Sequence, residues 1–298
     1  MFVAANGLTA LADLLKPSTS TKSDCDLNLI QSSVHAISTL LAPSDSSAYL
    51  HELVTNTVMF SPRFEYCRLL TMTEAPLSLG KILYQQSKIS FSTSQKTSSD
   101  LVESIINIFD VFCHAGHAVV VGIATEEVIR CWLDSLPYLE PILQNRLLTC
   151  IKLLSLDPET LATLQSANTI KVLVSLLSAT DLATDILRER YNQVLNALFN
   201  LCRYNPYRQA DAAASGLVPH LVRFVSVNNE FPALRHFAIP LLCDLAKSSK
   251  AVLGKLREAK ACDQLVRLLN EDPWAVQALD ALSMWISQEP KVYSGSFS

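Results

Sequence analysis

Apolar residues recur along most of the chain at intervals of three and four, the spacing of one helix face, and strict alternation is rare. Two stretches share more than this period. PETLATLQSANTIKVLVSLL begins at Pro158 and PYRQADAAASGLVPHLVRFV at Pro206; in each, a leucine (Leu173, Leu221) lies 15 residues after the proline. The apolar pairs Leu176/Leu177 and Phe224/Val225 follow in the same register. With that leucine as an anchor, matching positions fall at Leu79, Ile129 and Leu265, and Leu11 starts the series. The intervals from Leu79 onward are 50, 44, 48 and 44. Twenty residues before each anchor from Ile129 onward stands another large apolar residue: Phe109, Leu153, Leu201 and Leu245.

Each unit therefore reads as a short helix, a second helix carrying the anchor, and a longer third helix. A period of about 40 to 47 residues with two or three helices marks armadillo or HEAT arrays. Asn6-Gly7, Asn168 and Gly216 fall between the first and second helices, where a left-handed backbone is needed, and favour the three-helix armadillo layout. The expected fold is an all-α, right-handed superhelical armadillo (ARM/HEAT-like) solenoid of about six repeats, the terminal ones incomplete. It fills residues 1–290 as a single array, with 291–298 as a disordered tail.

The interval from Leu11 to Leu79 is 68, which is too long. The excess is assigned to the polar stretches 16–26 and 44–54, the second compatible with an additional helix. A further polar insert, QSKISFSTSQKTSSD at 86–100, reads as a solvated loop. Neither end looks like a polar cap, so a piece of a longer array is expected.

Composition narrows the function. The chain has 298 residues, 49% of them apolar, and seven glycines, few for an α/β protein built on phosphate loops. Lys+Arg 24 against Asp+Glu 28 gives a net charge of -4, without the basic excess of a nucleic-acid binder. The densest apolar run, AVVVGIA at 118–124, is far short of the roughly 20 residues that span a bilayer. The start, MFVAANGLTALADLL, has no basic leader and keeps helical spacing, so it reads as helix and not as a secretory signal. Eight scattered cysteines, none in C-x-x-C, suit buried reduced thiols in the cytoplasm or nucleus.

Each catalytic or metal constellation tried fails. HELVT at 51–55 places Thr55 where a zinc-protease helix needs its second histidine. CHAGH at 113–117 gathers Cys113, His114 and His117, but the register puts it at the end of a third helix, with Gly116 as the stop. ALFNLCRYNP at 197–206 crowds Asn200, Cys202 and Arg203 together, yet reads as a third-helix end followed by Pro206 at the start of the next repeat. No catalytic residue, metal site or cofactor is implied.

Stacked third helices form a groove, which makes protein binding the better reading. The residue before each third-helix anchor is expected to face it: Ile108, Lys152, Asn200 and Asp244, with Thr39 and Met284 at the ends. The candidate partner-binding groove comprises Asn145, Lys152, Gln193, Asn196, Asn200, Arg203, His236 and Asp244. An importin-like asparagine ladder interleaved with tryptophan is not present, because only Asn200 matches and Asn196 stands in the tryptophan position. Arg188, Arg190, Arg203 and Arg208 form a local basic concentration, suited to an acidic partner segment or to pairing with Glu189 and Asp211.

Finally, SPRFEYCR at 61–68, FAIPLLCDLAKSS at 237–249 and EDPWAVQALDALSMWISQE at 271–289 resemble the C-terminal armadillo region of the fungal septation-initiation and mitotic-exit network kinases. They are similar also to the plant epsilon class of MAP-kinase-kinase-kinases. The resemblance runs in order through most of the chain. It implies a parent serine/threonine kinase whose catalytic domain lies far N-terminal, with this region serving docking and localisation at the spindle pole or division site. The implied partners are proteins, a small GTPase and network scaffolds among them. This chain itself carries no H-R-D, D-F-G or glycine-rich loop. The alternative is a stand-alone armadillo adaptor without a kinase domain.

Overall fold

A computed structural model describes residues 2–16, 24–42, 62–93, 96–178, 184–226 and 232–288. Among these, every regular element is helical. Residues 17–23 of the stretch 16–26, the whole stretch 44–54 with HELVT, and the tail lie outside the described residues. The chain forms two compact units, 1–167 and 168–298.

The first unit contains α1 (Phe2–Leu14), α2 (Asp24–Leu41), α3 (Pro62–Thr71), α4 (Ala75–Thr93), α5 (Lys96–His114), α6 (His117–Ile123), α7 (Glu126–Ser135), α8 (Pro141–Ser155) and α9 (Leu161–Ser166). Like packs on like from one repeat to the next. First helix α3 lies on α6, second helix α4 on α7, and third helices run α2 to α5 to α8. Helix ends follow local chemistry. Thr125 caps α7 by accepting from the Val128 N–H at 3.4 Å, Gly116 breaks α5 from α6 at φ 94°, and Pro141 opens α8. At the centre, the Phe109 ring meets fully buried Trp132 edge-on at 4.8 Å, with Phe112 beside it at 6.2 Å.

The second unit contains α10 (Thr169–Ser175), α11 (Asp185–Cys202), α12 (Pro206–Ala214), α13 (Leu217–Val225), α14 (Pro232–Ala246), α15 (Lys250–Glu258), α16 (Ala261–Leu268) and α17 (Ala275–Gln288). The same stacking recurs, α12 on α15, α13 on α16, and α11 to α14 to α17. Asn168, Gly216 and Lys260 each adopt the left-handed conformation just before a second helix, at φ 59°, 94° and 56°. An added Cβ at Gly216 meets nothing within 4 Å, so backbone conformation and not space selects glycine there. The anchors Leu79, Ile129, Leu173, Leu221 and Leu265 are all fully buried.

Four expectations change. Asn6-Gly7 lies inside α1 and makes no turn. The buried line of that helix is Leu8, Ala12 and Leu15, leaving Leu11 half-buried, so the first anchor is one residue later than the spacing suggests. Leu153 is only half-buried, because α8 turns Ile151 and Leu154 into the core. The insert 86–100 is helical through Thr93 and again from Lys96. Its serines and threonines bond to carbonyls within their own helix (Ser87 Oγ to Tyr84 O at 3.1 Å, Thr93 Oγ1 to Ile89 O at 2.8 Å), which lets a polar composition persist in helix. Tyr84 and Phe91 pack around Tyr138 at 6.3 and 5.8 Å.

Candidate partner-binding surface

His117 opens α6 with Nδ1 2.5 Å from Asp157 Oδ2 and Nε2 3.4 Å from Glu159 Oε1, a pairing that raises its pKa. His114 Nδ1 lies 2.8 Å from the Asp110 carbonyl oxygen of its own helix, and Cys113 is buried. Among the described residues, no group of three or more histidines, cysteines or acids is arranged to hold a metal. At the repeat junction, Cys202 is buried beneath the end of α11, and burial pushes its thiol up to about 12 against the weaker opposing field of Arg208. A thiol held protonated is a poor nucleophile. Burial likewise pushes Cys67 and Cys243 up to about 12. The junction is structural: Arg203 ends the helix, Tyr204 turns left-handed at φ 58°, and the Asn205 side chain accepts from the Arg208 N–H at 3.0 Å before Pro206.

In the first unit, Ile108 is buried in the core beside Phe109, so it does not face a groove. α5 turns enough for two consecutive residues to pack. Asn145 and Lys152 are half-buried along α8. Next to Asn145, the Arg146 guanidinium reaches back to α5, donating to Asn107 Oδ1 and lying 3.4 Å from Glu103 Oε1.

The second unit gathers the other six candidates on α11 and α14. Gln193 is buried and donates to Glu189, one turn earlier. Asn200 Nδ2 donates to Asn196 Oδ1 at 3.2 Å, aligning two half-buried amides. Arg203 lies over the Phe199 and Tyr204 rings at 5.5 and 4.7 Å, and its Nη2 donates to Tyr204 Oη at 2.9 Å. On α14, His236 is exposed with its ring edge against Phe237, and Phe237 in turn lies 6.1 Å from Phe199. Asp244 is half-buried; its pKa is raised by burial, with Lys247 and Arg203 pulling the other way. Lys247 is 2.5 Å from Asp280 of α17.

The basic concentration does not form one patch. Arg188 pairs with Asp185 on its own helix, while Arg208 is buried and donates to the Leu201 carbonyl at 3.3 Å. The sequence singled out neither Phe199 nor Phe237, because an aromatic at helical spacing reads as core.

Three-helix units stacked first on first, second on second and third on third define an armadillo-type repeat protein. A computationally designed armadillo protein for modular peptide recognition superposes with a TM-score of 0.62 at 15% identity, over 93% of this chain and 99% of that one. A designed armadillo protein in complex with the peptide (KR)4 gives 0.60 at 16%, with the same coverage. Sequence places the chain more narrowly, as a homologue of one region shared by fungal cytokinesis protein sepH and plant MAP3K epsilon protein kinases. It is 33% identical to sepH of Aspergillus terreus over 294 residues, 97% of this chain. MAP3K epsilon protein kinase 2 of Arabidopsis thaliana is 31% identical over 67% of the chain, and cell division control protein 7 of Schizosaccharomyces pombe 24% over 97%. The chain spans about a fifth of the length of sepH (20%) and 14% of the Arabidopsis kinase. No family model matches it. Among the described residues, no helix is long and apolar enough to cross a membrane.

Proposed function

We propose that this chain is the non-catalytic docking and localisation region of a septation or mitotic-exit network serine/threonine kinase. It would hold the parent enzyme at the spindle pole or division site by binding protein partners, the network's small GTPase and scaffolds among them. The observation that carries the reading is the homology with cytokinesis protein sepH along nearly the whole chain, over only a fifth of sepH, joined to an armadillo fold. Designed proteins of the same fold, one made for peptide recognition and one in complex with the peptide (KR)4, support protein partners as a class. The fold supplies rigid third helices by apolar stacking, and the polar residues on their outer faces supply partner choice.

The test is a pulldown with the purified chain as bait, against the GTP-loaded small GTPase and the network scaffold, together with imaging of the parent kinase lacking this region. Retention of either partner and loss of the kinase from the division site are expected. No retention, with localisation unchanged by the deletion, overturns the reading.

A further inference from the structure

The first unit carries a hollow outside the candidate groove. The end of α4, the start of α5 and the connection from α7 to α8 enclose a cavity of about 330 Å³, and none of the groove candidates lines it. Buried Val102 and Leu143 form its floor. One wall is Phe91 of α4, 68% exposed yet seated edge-on against the Tyr138 ring at 5.8 Å. So exposed an aromatic contributes little to the core and keeps most of its ring available for contact. The rim bears the hydroxyls of Ser90 and Ser99 and the phenol of Tyr138, none of which bonds to another described residue. Glu140 adds a carboxylate. Although it stands at the N-cap of α8, its side chain makes no capping bond, and no cation among the described residues pairs with it.

We propose that this hollow binds a proline-rich segment of a protein partner in the polyproline II conformation, with a basic residue flanking the prolines opposite Glu140. The proposal rests on the protein-docking reading and names the chemistry of one partner segment. Every polar side chain of the lining except Glu140 is a hydroxyl able to donate, so the fitting ligand is rich in acceptors. A proline run has that character, because each residue keeps its carbonyl and has no N–H. Three residues per turn set every third proline on one side, where the pyrrolidine rings pack on Phe91 and Tyr138 and the carbonyls accept from the hydroxyls. A helix would arrive with its carbonyls already bonded internally. The flanking residue is basic because Glu140 is the single charged side chain in the lining. Proline's stiffness also limits the entropy lost on binding, which suits a small, open site.

The test uses the intact 298-residue chain and a fluorescent octaproline peptide with a lysine at each end, read by anisotropy. One counterpart replaces the prolines by alternating glycine and serine, and another replaces the lysines by acetyl-lysine. The octaproline peptide should bind saturably, and the glycine-serine counterpart about tenfold more weakly or worse, since it is not pre-organised. Phe91→Ala should lose about fivefold in affinity. Tyr207→Ala, which removes an aromatic 82% exposed on α12, should lose less than about twofold. Glu140→Gln should weaken the lysine peptide about threefold and leave the acetyl-lysine peptide unchanged. Cooperative melting confirms that each variant is folded. The proposal is overturned if octaproline binds no better than the glycine-serine peptide, if Phe91→Ala and Tyr207→Ala bind alike, or if Glu140→Gln affects the lysine and acetyl-lysine peptides equally. Any of these results beside a positive GTPase or scaffold pulldown leaves the docking reading standing; a failed pulldown beside the expected peptide result counts against that reading alone.

Discussion

Between α5 and α8 of the first unit, the polar residues answer one another: Arg146 of one repeat bonds to Asn107 and approaches Glu103 of the previous one. Between α11 and α14 of the second unit, Asn200 donates to Asn196 of its own helix, and half-buried Asp244 has its pKa raised by burial against the pull of Lys247 and Arg203. The backbones and anchors are alike, so the repeat does not set this difference. At the position where the first unit buries Ile108, the second presents Asn200. Stacking energy resides in the anchors, which leaves the outward positions free to be closed or open one by one.

The buried side chains common to both units carry the largest expected effects. Trp132→Ala in the first unit and Leu221→Ala in the second each remove a fully buried side chain and should cost about 3–5 and 2–5 kcal/mol. Hydrogen–deuterium exchange should report each loss as lowered protection in the helices around its own site. A cost below 1 kcal/mol at either residue would remove the claim that anchors carry the stability.

Cross-repeat polar contacts come next. Arg235 of α14 grips both oxygens of Glu271 at 2.8 and 2.7 Å, and both partners are largely shielded. Arg235→Ala should cost about 1–3 kcal/mol in chemical denaturation. Arg146→Ala, whose contacts are more exposed, should cost about 0.5 kcal/mol. Equal costs would show that shielding does not separate them.

A smaller effect of opposite sign is expected at Asp244. Its folded-state pKa lies above the usual 3.8, so the folded chain binds this proton more tightly than the unfolded chain does. Ionisation therefore lowers stability as pH rises above 3.8. Asp244→Asn should stabilise the chain by about 0.5 kcal/mol at neutral pH, a figure reduced for partial solvent screening, and the gain should vanish below that pH. Destabilisation at neutral pH would mean that the pull of Lys247 and Arg203 outweighs the cost of burial.

The slightest contrast is between two histidines. Asp157, hydrogen-bonded to His117, raises its pKa, so that pairing is fully present below pH 6.5 and fades as pH rises through the folded value. Burial and Arg223 lower that of His220. NMR titration should place the His117 midpoint above 6.5 and that of His220 below it; coincident midpoints would refute both assignments.

Sequence alone exposed the features tied to apolar periodicity: five of the six anchors, the left-handed turns at Asn168 and Gly216, and the junction at Cys202–Pro206. It missed the equivalent turn at Lys260, since lysine carries no conformational signature and is held left-handed by its surroundings. It misread 86–100 because serine and threonine satisfy themselves inside a helix as readily as in a loop. The binding face was legible only as a stripe of positions. Which polar groups on it are already answered depends on contacts between helices some 40 residues apart, as with Arg146 and Asn107, and one-dimensional spacing does not encode them.

Burial of the thiols has a practical chemical consequence. Cys67, Cys113, Cys150, Cys202 and Cys243 are shielded, and Cys131 is partly covered, whereas Cys262 stands exposed on α16. Among the described cysteines it is the side chain that a maleimide should meet first. It offers a native attachment point for a dye or crosslinker at the surface of the second unit, one repeat beyond α14, with the core thiols left unmodified.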